Sequence, residues 1–252
     1  MAKLEDIDPR VLVIKKRLKV VSEIIPVMSS KGGVGKTVIA TTIALLLARK
    51  GVCVGLLDLD ITNPSTHIVL GINPASIVPE EEKGVIPPRV HGIEYMTIAF
   101  YSKDNPLPLR GTEVDEAIKE ILAITRWGRL DYLIIDTPPG LSDPVLDVLS
   151  YMDKISPVIV TTPSPLSLKS VERLLFMLTE AGITPKGLIE NIANKPSERI
   201  IEITKKYNIQ YLGNIPYIEN LDIIITDPER LVKSDFAKKV DSIVSKLVEA
   251  NK

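Results

Sequence analysis

The stretch Ser30-Lys31-Gly32-Gly33-Val34-Gly35-Lys36-Thr37 lies between an apolar run over residues 24–28 and a helical pattern over residues 38–50. Glycines let a backbone approach phosphate oxygens and turn its N–H groups toward them, and the N-terminus of the following helix adds positive charge. A lysine and a threonine at the end of such a loop bind the β- and γ-phosphates and Mg²⁺, respectively. A flexible glycine linker would not need these side chains. The stretch therefore predicts a phosphate-binding loop between a strand and a helix, with the phosphate contacts made by Gly32, Gly33, Val34, Gly35, Lys36 and Thr37.

The composition limits the possible classes of protein. A chain of 252 residues suits one α/β domain, residues 1–252, rather than two domains. The formal net charge of -1 provides no global positive field, so we expect no stable binding to nucleic acid or to a membrane. The first ten residues are polar and charged, and no later stretch is apolar over the length of a membrane span. We therefore expect a cytoplasmic protein.

Apolar runs typical of buried parallel strands alternate with helical patterns along the chain. The predicted strands are residues 24–28, 52–57, 92–100, 132–136, 154–161, 186–190 and 211–215, and the predicted helices are residues 38–50, 112–127, 166–181, 197–207 and 234–250, with a further helix that starts at residue 143. This alternation predicts an α/β fold, a mostly parallel twisted sheet with helices on both faces. Together with the phosphate-binding loop it indicates the three-layer P-loop NTPase type. Pro26 lies inside the first strand, which requires a bulge or a strand that pairs only near its end. Residues 71–89 predict an irregular excursion or a short hairpin, without a chemical role.

Two terminal helices leave alternatives open. Residues 1–22 are predicted to form an amino-terminal helical arm, in which Asp8 and Pro9 begin a helix with a basic side. That side could contact DNA or lipid, although a solvated helix face is favoured. The helix over residues 234–250 is amphipathic, and docking on the core is favoured over binding to a membrane surface.

The single cysteine of the chain, Cys53, excludes an internal disulfide and a four-cysteine metal site within one subunit. It falls in the apolar run over residues 52–57, so we expect a buried and inert thiol.

Carboxylates follow two of the predicted buried strands at their carboxyl ends, where parallel α/β sheets place their ligands. Asp58 and Asp60 end one strand, and Asp136 ends another. Asp58 and Asp136 are predicted to hold the water molecules of Mg²⁺, to which Thr37 would bind directly. The turn Thr137-Pro138-Pro139-Gly140 follows, and Pro138 and Gly140 are predicted to contact the γ-phosphate of ATP.

Two details of the loop indicate a known superfamily. Ser30 replaces the first glycine of the general pattern, and Lys31 is an additional lysine. Both features resemble the deviant Walker A loop of the ATPases that include the ParA, MinD, Mrp and nitrogenase iron-protein families. The stretches 57–65 and 109–140 are similar to the Mrp-type ATPases in particular.

The resemblance implies an ATP-hydrolysing homodimer whose assembly depends on nucleotide. It implies that Lys31 reaches the nucleotide of the partner subunit and that Asp60 orients the attacking water. It also implies that Asn191 meets the adenine and that Pro216 and Tyr217 form a second adenine-side loop.

One departure from the family changes the expected function. Mrp-type proteins that carry iron–sulfur clusters place a Cys-x-x-Cys shortly after the asparagine, whereas residues 192–199 contain no cysteine. Thiolates hold such clusters. We therefore expect an Mg²⁺- and ATP-dependent accessory factor in iron–sulfur assembly that lacks its own cluster and acts with an unidentified protein partner. The alternatives are a MinD- or ParA-like positioning switch that binds membrane, DNA or protein, and then a metabolic kinase or ligase.

Overall fold

The computed structural model describes residues 8–140 and 143–249. Within these ranges the strands are β1 Val21–Met28, β2 Val54–Asp58, β3 Glu80–Glu81, β4 Val85–Ile86, β5 Arg89–Val90, β6 Ile93–Met96, β7 Leu130–Asp136, β8 Val158–Thr161, β9 Gly187–Asn191 and β10 Gln210–Ile215. The helices are α1 Pro9–Leu18, α2 Lys36–Arg49, α3 Thr66–Val69, α4 Ala99–Ser102, α5 Thr112–Ile124, α6 Asp143–Ser150, α7 Pro165–Glu180, α8 Glu198–Lys206, α9 Leu221–Ile224, α10 Pro228–Leu231 and α11 Asp235–Glu249.

Eight strands form one sheet in the order β10-β9-β8-β1-β7-β2-β6-β5. All neighbours in it are parallel except β5 and β6, which pair antiparallel at one edge. Every residue of β2 and of 132–136 in β7 is buried. Because successive side chains of a strand point to opposite faces, such continuous burial requires helices on both faces of the sheet. The predicted fold class is confirmed.

Pro26 is accommodated at a gap in the sheet. It pairs with Ile135 of β7, whereas β1 meets β8 only at Val27 and Met28 and at an isolated bridge from Ile24. The N–H and C=O of Ile24 form hydrogen bonds on the side of the strand that faces β8. Because the backbone groups of every second residue in a parallel strand face the same neighbour, the nitrogen of Pro26 faces β8 as well. Pro26, which has no N–H, therefore lies where β1 and β8 do not pair. The prediction that this strand pairs only near its end is confirmed for its pairing with β8.

The structure corrects three expectations from the sequence. Cys53 is exposed, so the prediction of a buried thiol is wrong; β2 begins only at Val54, and Cys53 lies in the connection before it. The predicted strand over 92–100 ends at Met96, and Ala99–Ser102 turns into α4. The helix predicted over residues 112–127 ends earlier, at Ile124 of α5.

Both terminal helices are docked on the core, as predicted. In α1 the residues Val11, Ile14 and Leu18 are buried, and the carboxylate of Asp8 accepts a hydrogen bond from the N–H of Arg10. In α11 the buried residues are Phe236, Ala237, Val240, Ile243, Val244 and Leu247. None of the helices in the described ranges is both long and apolar enough to span a bilayer.

The excursion after α3 contains a 3₁₀ turn at Pro74–Ser76 and a small hairpin in which β3 and β4 pair antiparallel. The prediction of an irregular excursion or short hairpin is thus confirmed for these residues. The single-domain interpretation of residues 1–252 stays a prediction, since residues 1–7, 141–142 and 250–252 lie outside the described part.

Candidate functional site

The phosphate loop joins β1 to α2 and has the backbone shape that its glycines permit. Gly33 and Gly35 have positive φ angles of +76° and +86°, a region that side chains disfavour. A Cβ atom at Gly35 would also overlap with Nδ2 of Asn191, so a side chain here would displace that amide. The loop surrounds a cavity of about 250 Å³ lined by Ser29, Lys31, Gly32, Gly33, Val34, Gly35, Lys36, Thr37, Val38, Asp60, Asn63, Ser65 and Pro139.

Lys36 and Thr37, in the first turn of α2, both contact Asp136 at the carboxyl end of β7. The ammonium of Lys36 lies 2.5 Å from Oδ1 of Asp136, and the Thr37 hydroxyl donates to Oδ2 over 2.7 Å. The side chain of Lys36 is 7% exposed and that of Asp136 is 0% exposed. The end of the phosphate loop and a buried carboxylate are therefore one connected group.

Asp58 stands beside Asp136 because β2 and β7 pair in a register that matches these two residues. Its Oδ1 accepts a hydrogen bond from the N–H of Asp60 over 3.1 Å. Its Oδ2 accepts from the N–H groups of Ser65 and Thr66, each at 3.0 Å, and from the Thr66 hydroxyl at 2.7 Å. The carboxylate thus organises the turn that follows β2.

Burial, together with the nearby charge of Asp136, raises the pKa of Asp58 to about 7. Burial also raises the pKa of Asp136, against the opposing effect of Lys36. Two buried carboxylates that share one lysine lack compensating positive charge, which a divalent cation would supply. The oxygen donors of Thr37, Asp58 and Asp136 suit Mg²⁺, a hard cation that keeps several water molecules. No group of three or more His, Cys, Asp and Glu side chains in the described ranges could hold a metal ion by itself.

The raised pKa of Asp58 predicts a pH-dependent stability of the protein free of nucleotide and metal ion. Between its ordinary value of 3.8 and about 7, the folded state holds a proton that the unfolded chain has released. This contribution to the free energy of unfolding is therefore present at low pH and is lost as the pH rises through about 7. Urea unfolding should show that the stability of the parent chain relative to Asp58→Asn falls between about pH 4 and about pH 7. A difference that stays constant over this range would contradict the assignment.

Asp60 and Lys31 both line the phosphate cavity. Oδ1 of Asp60 accepts from the hydroxyl of Thr62 at 3.2 Å and from the N–H of Asn63 at 3.1 Å. Lys31 is half-buried, and its ammonium has no ion-pair partner among residues 8–140 and 143–249. Both residues lie where a nucleotide would be bound, and their individual roles stay predictions.

The turn after β7 packs against the start of the loop. The N–H of Gly140 donates to the carbonyl of Ser29 over 2.8 Å, and the Thr137 hydroxyl donates to the carbonyl of Val27 over 3.0 Å. Pro139 lines the phosphate cavity. The contact of Pro138 and Gly140 with a γ-phosphate stays a prediction.

The residues predicted for the adenine side are only partly brought together. Nδ2 of Asn191 donates to the carbonyl of Val34 over 2.8 Å, which ties the end of β9 to the phosphate loop. Pro216 and Tyr217 follow β10, whose last residue pairs with Asn191, but the Tyr217 side chain is 69% exposed. Neither Pro216 nor Tyr217 lines the phosphate cavity.

The segment after Asn191 lines a separate open cleft of about 900 Å³ together with Pro163 and Glu202. Ile192 begins it with a φ of +58°, an unusual conformation for a β-branched residue. Cys53 precedes β2 at the amino end of the strand, whereas this segment follows the carboxyl end of β9. Because β2 and β9 run in the same direction in the sheet, the thiol and the segment lie at opposite ends of the parallel strands.

Sequence reasoning missed the residues that hold Asp58. Thr66 and Ser65 follow Asp58 by only a few positions, and a cap at the start of α3 could have indicated them. Tyr95, whose hydroxyl lies 2.8 Å from that of Thr66, comes from β6 and has no local signal in the sequence.

The chain is similar to a known family and to several known proteins. The family described as ParA: NUBPL iron-transfer P-loop NTPase matches residues 20–250. An iron-sulfur cluster carrier protein of Aquifex aeolicus is 32% identical over 258 residues, which cover 94% of this chain and 71% of that protein. The cytosolic Fe-S cluster assembly factor CFD1 of Kluyveromyces lactis is 34% identical, over 83% of this chain and 81% of that protein.

A nucleotide-binding protein of Archaeoglobus fulgidus, solved in complex with ADP and with Co, is similar in structure with a TM-score of 0.75 and 28% identity. The alignment covers 90% of this chain and 95% of that one. Three further bacterial carrier proteins are 37% to 39% identical, and the chain spans only 50% to 63% of their length.

Proposed function

Because the chain belongs to the ParA family of NUBPL-type iron-transfer P-loop NTPases, we propose that it is an Mg²⁺-dependent ATPase and a nucleotide-switched dimer in iron–sulfur assembly. It would act there without cluster ligands of its own. The observation that carries the proposal is the contact of Lys36 and Thr37 with the buried carboxylate of Asp136 beside the phosphate cavity. The lysine, hydroxyl and carboxylate are the side chains that phosphoryl transfer needs at this place.

The pairing of Lys36 with Asp136 links nucleotide binding to metal binding. To contact the β- and γ-phosphates, the ammonium of Lys36 must turn from Asp136 toward the cavity. Asp136 and Asp58 then remain buried without their lysine, and a cation bound near Thr37 would compensate their charge. When bound, Mg²⁺ would neutralise charge on the β- and γ-phosphate oxygens. Nucleotide and metal ion should therefore bind together.

The residues around the cavity divide the remaining tasks. The loop N–H groups and Lys36 bind phosphate oxygens, and Asp60 positions the attacking water. Lys31 of one subunit reaches the nucleotide of the other, which couples hydrolysis to the homodimer. The turn at Pro138 and Gly140 responds to the γ-phosphate and alters the dimer surface, while Asn191, Pro216 and Tyr217 contact the adenine. We place this activity in the cytoplasm, with a protein partner.

The names of the relatives support a task in iron–sulfur assembly, and the position and number of cysteines argue against a cluster bound by the chain itself. The relatives are named as iron-sulfur cluster carriers and as a cluster assembly factor. Residues 192–199 contain no cysteine, and Cys53 lies at the opposite end of the parallel strands. A membrane-positioning switch has less support, because the apolar side of α11 is buried against the core.

Anaerobic reconstitution with iron and sulfide tests the cluster-free role. The parent chain should keep no visible cluster absorbance and no stoichiometric iron after desalting, because a cluster needs several thiolates. A matched variant, Asn194→Cys with Ser197→Cys, installs a Cys-x-x-Cys in the cleft segment and should retain iron and sulfide.

Phosphate release from ATP is measured in parallel with and without Mg²⁺. A stable cluster on the parent chain would overturn the cluster-free role. Absence of Mg²⁺-dependent phosphate release would overturn the ATPase.

A further inference from the structure

A short chain of hydrogen bonds runs from the core of the protein to Asp58. The hydroxyl of Thr66 lies 2.7 Å from Oδ2 of Asp58, and the hydroxyl of Tyr95 lies 2.8 Å from that of Thr66. With Mg²⁺ bound, the carboxylate of Asp58 is ionised and only accepts hydrogen bonds, so the single hydroxyl proton of Thr66 then points to Asp58. Tyr95 must then donate to Thr66. The direction of the chain is fixed from Tyr95 through Thr66 to Asp58.

The chain makes the two oxygens of Asp58 unequal. Oδ2 accepts three hydrogen bonds, from the N–H groups of Ser65 and Thr66 and from the Thr66 hydroxyl, whereas Oδ1 accepts one, from Asp60. A carboxylate offers about four acceptor sites in all. Oδ2 is therefore committed to the protein, and Oδ1 keeps the capacity to accept from a water molecule on a metal ion.

Tyr95 is built to stay in place as a donor. Its side chain is completely buried in β6, and its ring meets that of Phe100 edge to face with the centroids 5.4 Å apart. Burial holds the pKa of its hydroxyl well above the usual range, so the group keeps its proton. Neither Tyr95 nor Thr66 lines the phosphate cavity, so neither is in position to touch a nucleotide.

We propose that Thr66 and Tyr95 are positioning residues that orient Asp58 so that Oδ1 faces the water shell of the bound Mg²⁺. The inference rests on the proposed function, which gives Asp58 this role toward the metal ion. It adds two residues on other elements, α3 and β6, whose effect on the metal ion passes through Asp58 alone.

The test compares the affinity for ADP with and without Mg²⁺ by equilibrium titration. Thr66→Val keeps the shape of the side chain and removes the hydrogen bond to a charged group, so the Mg²⁺-dependent gain in affinity should fall about tenfold. Affinity without Mg²⁺ should stay unchanged. Tyr95→Phe should lower the gain by about two- to threefold, since its hydrogen bond joins neutral groups. Thr66→Ser keeps the hydroxyl and should restore the gain.

A double variant and a control separate positioning from general damage. Tyr95 acts through Thr66, so Thr66→Val with Tyr95→Phe should match Thr66→Val alone. Thr204→Val is the control: this buried threonine bonds to the carbonyl of Ile201 in α8 and should leave the gain unchanged.

The outcomes distinguish the inference from the function on which it rests. If the parent chain shows no Mg²⁺-dependent gain, the proposed magnesium site fails. If the parent chain shows the gain and Thr66→Val shows the same gain, the positioning role is overturned. Additive effects in the double variant would likewise overturn it. Fluorescence of Trp127, the single tryptophan, reports the unfolding of each variant and identifies any that has lost its fold.

Discussion

Lys36→Met should abolish nucleotide binding and lower the free energy of unfolding at neutral to alkaline pH by about 3–5 kcal/mol. The ammonium of Lys36 lies 2.5 Å from Oδ1 of Asp136, and both side chains are buried. Methionine keeps much of the apolar stem but leaves the carboxylate without its counter-charge. Breaking a buried ion pair from one side costs this much because the remaining charge stays desolvated. Asp58, paired with Asp136 across β2 and β7, adds repulsion.

The loss of binding has a separate cause. Each charge-assisted contact between the ammonium and a phosphate oxygen is worth about 1.5–3 kcal/mol, or roughly tenfold to more than a hundredfold in affinity. Lys36→Met should therefore show no saturable binding in a titration with a fluorescent ADP derivative. Thr37 still donates to Asp136, so the loop keeps one of its two links to β7.

A second substitution separates these two effects. Lys36→Met combined with Asp136→Asn removes the orphan charge, so the free energy of unfolding should return most of the way to that of the parent chain. Nucleotide binding should stay absent. The pH dependence has a definite sign: burial raises the pKa of Asp136, Lys36 opposes that rise, and its removal lets the pKa increase further. The carboxyl then protonates more readily, and the destabilisation of Lys36→Met should shrink as the pH falls.

Urea unfolding followed by Trp127 fluorescence measures these differences. An equal loss of stability in Lys36→Met and in the double variant would show that the damage is not electrostatic. Nucleotide binding by Lys36→Met with parent affinity would remove Lys36 from the phosphate site.

The residues of the site that could be predicted are those whose position follows from a short stretch of sequence. The loop over residues 30–37 carries its glycines, lysine and threonine in one stretch, and its geometry follows from them. Asp58 and Asp136 were placed together because carboxyl ends of parallel strands share one edge of a sheet. The two carboxylates lie side by side because β2 and β7 are adjacent strands in the sheet.

The part that was missed depends on contacts between distant segments. Tyr95 appears in the sequence as one more apolar residue of a strand, and its hydroxyl gains a role only when β6 lies beside β2. The amide of Asn191 reaches the loop carbonyl of Val34 across 157 positions of the chain. Cys53 was wrongly predicted to be buried, because an apolar run does not indicate at which of its residues the strand begins.

Asp60→Ala should retain ATP binding while hydrolysing ATP at least a hundredfold more slowly. Asp60 lines the cavity, and its carboxylate accepts hydrogen bonds from Thr62 and Asn63, not from Lys36 or Thr37. The phosphate contacts therefore persist. A group that positions or deprotonates an attacking water contributes about 10²–10⁴-fold to a rate. Asp60→Asn is the matched variant, because its amide oxygen still accepts from the turn but carries no charge. Both variants should be slow, and a normal rate in Asp60→Asn would assign Asp60 to the turn alone.

The same slow variant tests the dimer. If ATP closes the dimer and hydrolysis opens it, Asp60→Ala must accumulate as a dimer in ATP, which light scattering measures. Lys31 lines the same cavity without an ion-pair partner among the described residues, so its charge is available to a nucleotide from a second subunit. Adding Lys31→Ala to Asp60→Ala should return the protein to the monomer while ATP stays bound. A persistent dimer in that double variant would refute the contact between subunits through Lys31. A monomeric Asp60→Ala with bound ATP would refute the ATP-closed dimer itself, and the two proposals therefore fail by different measurements.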